Sequence, residues 1–215
     1  MKALIFAAGR GVRMLPLTLT TPKPLLQVHG KALIVYQIER LVRAGISDLV
    51  INIAHLGAQI REALGSGSAF GAHIAYSDEG SEPLETAGGI RHALPLLGSE
   101  AFAAVNADIL CDYDYTHLRD PRPALAHLVL VNNPGHNARG DFALERGRCS
   151  EHGARLTFSG IGVYQPELFR CHEPDASKLA SVLRSAIAAK QVSGEHYPGS
   201  WVDVGTPERL RELNR

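Results

Sequence analysis

The sequence has little that would tie it to nucleic acids, membranes or an oxidising compartment. Its 22 Lys and Arg residues are balanced by 22 Asp and Glu residues, whereas a general nucleic-acid or anionic-membrane binder needs a surplus of positive charge. No apolar run reaches transmembrane length, and the one after Lys2 is too short for a signal peptide. The three cysteines, Cys111, Cys149 and Cys171, form no C-x-x-C pair, which is typical of a reduced cytoplasmic protein.

The motifs of several common enzyme classes are missing as well. There is no G-x-x-x-x-G-K-[S/T] phosphate loop and no G-x-S-x-G around a nucleophilic serine. The ten histidines never occur as H-x-x-x-H or H-E-x-x-H, so a zinc site is not expected. In the glycine-rich stretch that follows the first apolar run, Met14 stands where a dinucleotide fingerprint has its third glycine.

What the chain does have is an alternation of strand and helix patterns. Apolar residues make up 45% and charged residues 20% of the composition, as in an ordinary globular protein. Up to residue 133 the alternation predicts an α/β fold with a mostly parallel, Rossmann-like mixed sheet flanked by helices. One of these helices is predicted to begin at a Thr86 cap and to break at Pro95. After Pro134 short strand patterns crowd together, before a helix over 178–189 and a closing strand and helix.

The stretch FAAGRGVRM, residues 6–14, is placed where the first strand would end. Gly9 and Gly11 allow the backbone to approach a ligand closely and to turn its N–H groups inward, an arrangement that binds phosphates. A tight turn without a ligand would explain the same residues. Further along, Pro22 and Pro24 stiffen the backbone on both sides of Lys23, which favours a fixed positive charge over a solvated loop lysine.

Two carboxylates stand at the ends of apolar strand patterns. Asp108 ends the run AFAAVNAD, and Asp203 lies between Val202 and Val204. A carboxylate among apolar neighbours is costly to bury unless a cation meets it. Either residue could instead cap a turn, although Thr206 is better placed to cap the last helix. Mg²⁺ commonly takes one or two protein carboxylates together with the phosphates of its substrate, so Asp108 and Asp203 are the candidate metal ligands.

Two further stretches each allow two interpretations. The D-x-D formed by Asp112 and Asp114 is the metal and nucleotide motif of many glycosyltransferases, but its position beyond a strand end favours a turn that starts a helix. The stretch EPLETAGG, residues 82–89, is either an ordinary capped helix start or a place where Gly88 and Gly89 let a flat ring lie against bare backbone.

Taken together, these stretches resemble the sugar-1-phosphate nucleotidyltransferases along the whole chain. FAAGRGVRMLPLT, TPKPLL, EPLETAGGI, VNADIL and WVDVGTPERL occur in the order and spacing of that family. Its G-x-G-x-R-[M/L] signature is matched by Gly9, Gly11, Arg13 and Met14, and its P-K-P by the segment around Lys23. Within the family, the chain is most similar to the N-acetylmuramate-1-phosphate uridylyltransferases of peptidoglycan recycling.

The resemblance implies one nucleotidyltransferase domain over 1–215, with a nucleotide-binding core over 1–133 and, over 134–215, a sugar-binding extension with the closing strand and helix. It implies transfer of a nucleotidyl group, most specifically UMP from UTP, to a sugar 1-phosphate with release of pyrophosphate. Mg²⁺ is the implied cofactor, held by Asp108 and Asp203. The implied catalytic residues are Arg13, Lys23 and Asp108. The nucleotide is expected to contact Ala8, Gly9, Gly11, Val12, Arg13, Lys23, Glu82, Thr86 and Gly88.

The sugar is determined less by the motifs. The family's N-G-D is N-A-D here, at residues 106–108, and RCSEHGARL replaces the Glu-Lys-Pro that holds the sugar phosphate in many relatives. N-acetylmuramate 1-phosphate carries a lactyl carboxylate that needs cations or N–H donors. Three alternatives stay open: a GTP-using mannose-1-phosphate guanylyltransferase, a glycosyltransferase acting through the D-x-D, and a non-catalytic nucleotide-binding regulator. The expected sugar contacts are Asn106, Arg139, Gly140, Glu151 and Arg155.

Overall fold

The computed structural model describes residues 1–120, 124–170 and 177–215, so Cys171 lies outside the described residues. No helix within these ranges is long and apolar enough to cross a membrane. The helices are α1 Leu33–Arg43, α2 Gly57–Leu64, α3 Glu85–Leu97, α4 Glu167–Arg170, α5 Leu179–Ala188 and α6 Pro207–Leu213. The strands are β1 Ala3–Phe6, β2 Gln27–Val28, β3 Lys31–Ala32, β4 Asp48–Ile53, β5 His73–Asp78, β6 Phe102–Asn106, β7 Ile109–Cys111, β8 Ala126–Val131, β9 Phe142–Glu145, β10 Arg148–Ser150, β11 Arg155–Tyr164, β12 Val192–Tyr197 and β13 Trp201–Asp203.

A nine-stranded mixed sheet in the order β5-β4-β1-β6-β11-β8-β12-β10-β9 forms the centre of the described structure. Strands β5, β4, β1 and β6 run parallel, and β8 is parallel to β12. The long strand β11 is antiparallel to both β6 and β8 and so joins the first four strands to the rest of the sheet. The predicted fold class is confirmed. The predicted division after residue 133 stays a prediction, and strands from both sides of it share this one sheet.

Alternating residues of the central strands build an apolar core on each face of the sheet. Along β1, Ala3 and Ile5 face a cluster with α1 and α2, whereas Leu4 faces a cluster with α3, α4 and α5. All three side chains are fully buried, and a buried Leu or Ile side chain contributes roughly 1.5–3 kcal/mol. This packing on both faces fixes the strand ends, and therefore the loops that follow them, relative to one another.

The start of α3 differs from the predicted one. The helix begins at Glu85, and no side chain caps it, so the prediction of a Thr86 cap was wrong. The N–H groups of Ala87 and Gly88 donate instead to the backbone carbonyl of Ser177, at 2.8 and 3.3 Å. A carbonyl from a distant segment therefore satisfies the amides that a local cap would have satisfied.

Pro95 does not break α3, contrary to the prediction, because the helix continues to Leu97. Pro95 stands in the last turn, where the helix ends in any case, and buried residues of α3 such as Ile90 and Ala93 pack on the sheet. The sequence also gave no sign of β7, β10 and β12, which are short or rich in polar residues. Among these, β7 is the one that shapes the site.

Candidate active site

A cleft of about 510 Å³ lies at the carboxyl ends of β1, β4 and β6. These strands are parallel, so the loops that follow them meet at one edge of the sheet, where ligands of open α/β sheets commonly bind. Of the residues predicted from the sequence, the cleft is lined by Ala8, Gly9, Gly11, Val12, Arg13, Lys23, Thr86, Asn106 and Asp108.

The glycine-rich loop forms one wall of this cleft. Gly11 has a φ of 63°, in the left-handed region that glycine adopts without strain. A Cβ atom at Gly11 would lie 2.9 Å from a methyl group of Thr18 and 3.2 Å from the Cβ of Lys23. The missing side chain therefore lets Lys23 lie directly against the loop. Arg13 follows in a short 3₁₀ turn and also lines the cleft.

The backbone segments that carry the two candidate metal carboxylates are joined by a strand pair outside the main sheet. Strand β7 follows Asp108 directly and pairs antiparallel with β13, which places Asp203 opposite Ile109. The N–H of Val204 donates to the backbone carbonyl of Asp108 at 2.8 Å. The two aspartates therefore lie on adjacent backbone segments, although 95 positions of sequence separate them.

Each of these carboxylates contacts basic side chains of the chain. Lys23 forms an ion pair with Asp108, and only 12% of the lysine side chain is exposed. Asp203 contacts Arg209 at 2.5 Å and His136 at 3.0 Å. Lys23 is thus a fixed charge at the cleft wall, as the flanking prolines predicted. Neither Arg209 nor His136 was predicted, and the sequence around His136 carries no signal for it.

Gly205 leaves the space in which several of these side chains meet. A Cβ atom at this position would lie 2.7 Å from Asp203 Oδ2, 3.1 Å from Arg209 Nη1 and 3.3 Å from Arg13 Nη1. The arginine of the glycine-rich loop and the second carboxylate therefore share one small volume. With the Lys23–Asp108 pair, two carboxylates and three cationic side chains lie in this region, although Asp203 and Arg209 do not themselves line the cleft.

Two polar residues at the other end of the cleft were not predicted. Asn52, which is 3% exposed, accepts from the Ala7 N–H at 2.7 Å and donates to Glu79 Oε1 at 2.7 Å. Glu79 Oε2 accepts from the Leu84 N–H at 2.8 Å. These bonds tie the glycine-rich loop to the segment before α3. The available signal was a polar residue within, or just after, an apolar strand pattern.

Three predicted contacts lie outside the cleft wall. Glu82 is exposed and forms an ion pair with Arg10, which itself lines the cleft. Gly88 lies within the first turns of α3, where its N–H donates to a carbonyl. Arg139 is exposed in the loop between β8 and β9. The structure therefore does not bring these three residues to the cleft surface, and their roles stay predictions.

The remaining predicted sugar contacts form a separate group. A Cβ atom at Gly140 would lie 2.8 Å from the carbonyl carbon of Arg155, so the glycine packs on that backbone. Arg155 and Arg184 both contact Glu151 Oε2. Glu151 lines a second, open depression of about 1020 Å³ beside β10 and α5. These predicted sugar contacts are thus neighbours of one another, but none of them lines the cleft at the carboxyl ends of β1, β4 and β6.

The D-x-D forms a turn, as its position indicated. Asp114 Oδ1 accepts from the Thr116 N–H at 2.9 Å and begins the 3₁₀ helix Tyr115–Arg119. This hydrogen bond lowers the pKa of the Asp114 carboxyl. Asp112 accepts a hydrogen bond from the Tyr197 hydroxyl. Neither aspartate lines the main cleft, so the structure lends no support to a glycosyltransferase that acts through them.

Comparison with known proteins shows the family to which the chain belongs. The model of the nucleotidyl transferase family matches residues 2–132, the segment that contains the glycine-rich loop, Lys23 and Asp108. This chain belongs to the nucleotidyl transferase family. An N-acetylmuramate alpha-1-phosphate uridylyltransferase from Neisseria meningitidis serogroup B is 52% identical over 99% of this chain and 96% of its own length. The resemblance to sugar-1-phosphate nucleotidyltransferases and the predicted enzyme class are confirmed.

A more distant relative matches over part of its length, and two solved structures share the fold. A mannose-1-phosphate guanyltransferase from Hypocrea jecorina is 31% identical over 97% of this nucleotidyl transferase, which spans only 62% of that relative. A Bacillus anthracis protein assigned as a glucose-1-phosphate thymidylyltransferase superposes with a TM-score of 0.84 at 20% identity, over 100% of this chain and 94% of its own. A UDP-glucose pyrophosphorylase complexed with UDP-glucose gives 0.77 at 21% identity, over 99% and 96%. At these identities the two structures show the fold alone.

Proposed function

We propose that this nucleotidyl transferase moves UMP from UTP to N-acetylmuramate 1-phosphate, a step of peptidoglycan recycling in the cytoplasm. The observation that carries the proposal is that Arg13, Lys23 and Asp108 line the cleft together, while Asp203 lies beside Arg13 at Gly205. All four side chains act through charge. Transfer of a phosphoryl or nucleotidyl group depends mainly on positioning and charge stabilisation, so this set suits that reaction.

The triphosphate would lie at the end of the cleft that holds these charges. The N–H groups of the glycine-rich loop and the guanidinium of Arg13 would bind the β- and γ-phosphates, and Lys23, which lies against this loop, would add a second positive charge. Charge-assisted hydrogen bonds of this kind are about twice as strong as neutral ones. The base would then extend towards the end of the cleft that Asn52, Glu79 and Thr86 line.

The chemistry requires no strong base from the protein. A phosphate oxygen of the sugar 1-phosphate attacks the α-phosphorus of UTP in line, and the bond to the β-phosphate oxygen breaks to release pyrophosphate. The attacking group is already an anion, so no side chain has to remove a proton. Arg13 and Lys23 stabilise the negative charge that builds up on the phosphate oxygens. No covalent intermediate with the protein forms.

The donor set at Asp108 and Asp203 fits Mg²⁺. Both residues offer carboxylate oxygens, which are the ligands that Mg²⁺ prefers, and it typically takes only one or two of them from the protein. Among the described residues no three His, Cys, Asp or Glu side chains form a group that could hold a metal ion, so substrate phosphates and water would complete the coordination. When bound, Mg²⁺ would supply positive charge to the phosphate oxygens. Lys23, Arg209 and His136 meanwhile hold the carboxylates in place.

Two arguments support N-acetylmuramate 1-phosphate and UTP over mannose 1-phosphate and GTP. The uridylyltransferase relative is 52% identical and matches along its length, whereas the guanyltransferase is 31% identical and only 62% covered. The lactyl carboxylate also needs a cation. Arg155 is already paired with Glu151, so Arg139, exposed in the loop whose His136 reaches Asp203, is the better candidate.

Competition between two sugar phosphates tests the substrate assignment. N-acetylmuramate 1-phosphate and N-acetylglucosamine 1-phosphate differ mainly by the lactyl group, and both are offered at equal concentration with UTP. We expect the muramate to be used preferentially, and Arg139→Ala to reduce that preference while leaving the rate with the glucosamine unchanged. Preference for N-acetylglucosamine 1-phosphate, or for mannose 1-phosphate with GTP, would overturn the substrates while leaving the reaction class in place.

A further inference from the structure

We propose that Glu85 determines the choice of base, by accepting a hydrogen bond from the ring N–H of uracil. The proposal rests on the proposed use of UTP and assigns the residue that selects it. Three features of the structure carry it: the backbone conformation of Glu85, the hydrogen bonds of its neighbours, and the strand order that separates it from the phosphate-binding charges.

Glu85 holds a backbone conformation that a glutamate rarely adopts. Its φ is 60°, in the left-handed region where a residue with a Cβ atom is strained and glycine is not. Of the non-glycine residues with positive φ in the described ranges, Glu85 alone lines the cleft; the others are His29, Leu56, Arg146 and Lys190. Glycine would fit this backbone without strain. Where a strained backbone position at a ligand cleft carries a side chain that glycine could replace without strain, the side chain itself has a function.

The neighbouring side chains of Asn52 and Glu79 are already hydrogen-bonded within the protein. Both oxygens of Glu79 accept hydrogen bonds, one from Asn52 and one from the Leu84 N–H. The oxygen of Asn52 accepts from the Ala7 N–H. Glu85 is exposed at the mouth of the cleft, and no described residue forms a hydrogen bond or an ion pair with its carboxylate. It is therefore the carboxylate at this end that is available to a ligand.

The chemistry of a carboxylate selects among bases. An ionised carboxylate only accepts hydrogen bonds. Uracil presents its N3–H donor on the edge opposite the ribose, whereas cytosine has an unprotonated N3 there, whose lone pair would face the carboxylate. Glu85 follows β5, whereas Asp108, the partner of Lys23, follows β6, and strands β4 and β1 lie between those two in the sheet. A nucleotide with its triphosphate at Lys23 and Asp108 would therefore direct this edge towards Glu85. Glu85 therefore favours UTP over CTP.

The experiment compares Glu85→Gln and Glu85→Gly with the native protein. The values of kcat/KM for UTP and CTP are measured with one sugar 1-phosphate, together with thermal unfolding. We expect Glu85→Gly to lose about tenfold to a hundredfold in kcat/KM for UTP, mainly through KM, which is the effect of one charge-assisted hydrogen bond. Glu85→Gln should lose less, because its amide oxygen still accepts from the uracil N3–H. The value of kcat/KM for CTP should not fall in either variant, because both remove the carboxylate that would face the lone pair of cytosine N3. In Glu85→Gln the amide can also donate to that nitrogen. Glu100→Gln, which changes an exposed carboxylate beyond the other end of α3, should behave like the native protein.

Thermal unfolding separates this role from a structural one. Glu85→Gly relieves the backbone strain, so we expect it to unfold at a temperature no lower than that of the native protein while losing its preference for UTP. An unchanged ratio of UTP to CTP in both variants would overturn the proposal. Calorimetric binding of UTP and CTP is measured in parallel. If the native protein binds both but releases pyrophosphate with neither, the proposed function fails, and the binding ratio still decides the role of Glu85.

Discussion

A single methyl group added at Gly205 should remove most of the activity without unfolding the protein. The new Cβ atom in Gly205→Ala would lie 2.7 Å from Asp203 Oδ2, whereas a carbon and an oxygen in weak contact stay about 3.3–3.6 Å apart. Asp203 must therefore move by roughly 0.6 Å or more. A misplacement of about 1 Å near a reacting centre can cost about a hundredfold in rate, so we expect kcat to fall by about tenfold to a hundredfold.

The effect of this substitution on stability should be small. The φ of Gly205 lies outside the left-handed region, so alanine can adopt its backbone conformation. At such a site, Gly→Ala stabilises a protein by about 0.4–1 kcal/mol through the unfolded chain, which offsets part of the clash with Asp203 and Arg209. We expect the free energy of unfolding in urea to change by no more than about 1 kcal/mol.

Gly135→Ala is the matched control for this prediction. A Cβ atom at Gly135 meets no atom within 4 Å, and the φ of this residue also lies outside the left-handed region. The rate of pyrophosphate release and the unfolding midpoint are measured for both variants and the native protein. Native kcat in Gly205→Ala, or an equal loss in Gly135→Ala, would refute the argument that the active-site side chains need the space beside Gly205.

Three further outcomes are expected. Asp108→Asn and Asp203→Asn should each abolish Mg²⁺-dependent pyrophosphate release while leaving the circular dichroism spectrum native, because each removes a proposed metal ligand; near-native activity in either would exclude it as a ligand. Arg13→Ala and Lys23→Ala should each lower kcat/KM by about tenfold to a hundredfold, the effect of one charge-assisted contact. Native kinetics in both variants would show that the glycine-rich loop is a turn with no role in phosphate binding. Asn52→Ala should lower the free energy of unfolding by about 1–3 kcal/mol, since it leaves a buried backbone N–H without an acceptor; an unchanged urea midpoint would show that this N–H finds another partner.

The phosphate end of the cleft could be predicted from the sequence because its residues lie in short contiguous motifs at strand ends. Gly9, Gly11 and Arg13 follow β1 within a few residues, and Asp108 follows β6. Parallel strands end at the same edge of a sheet, so residues that follow β1 and β6 meet once the fold class is known. The position of Lys23 as a fixed charge could also be predicted, because Pro22 and Pro24 stiffen the backbone on both sides of it.

The rest of the site depends on contacts between distant segments. The segment that carries Asp203 lies beside that of Asp108 because β7 pairs with β13, and strands of three residues are too short to leave a periodic pattern. Asn52 binds Glu79 across 27 positions of sequence, and neither residue belongs to a recognisable motif. At the start of α3 the carbonyl of Ser177 replaces the predicted Thr86 cap, so a tertiary contact overrode a sound local preference.

Identification of the products formed from UTP and N-acetylmuramate 1-phosphate tests the central claim most directly. The two substrates are incubated with the protein and Mg²⁺, and the products are measured by phosphorus NMR and mass spectrometry. The arrangement of Arg13, Lys23, Asp108 and Asp203 predicts UDP-N-acetylmuramate and pyrophosphate in equal amounts, and neither product when the metal is removed. Release of UDP without pyrophosphate, or equal turnover in the absence of a divalent metal, would contradict it.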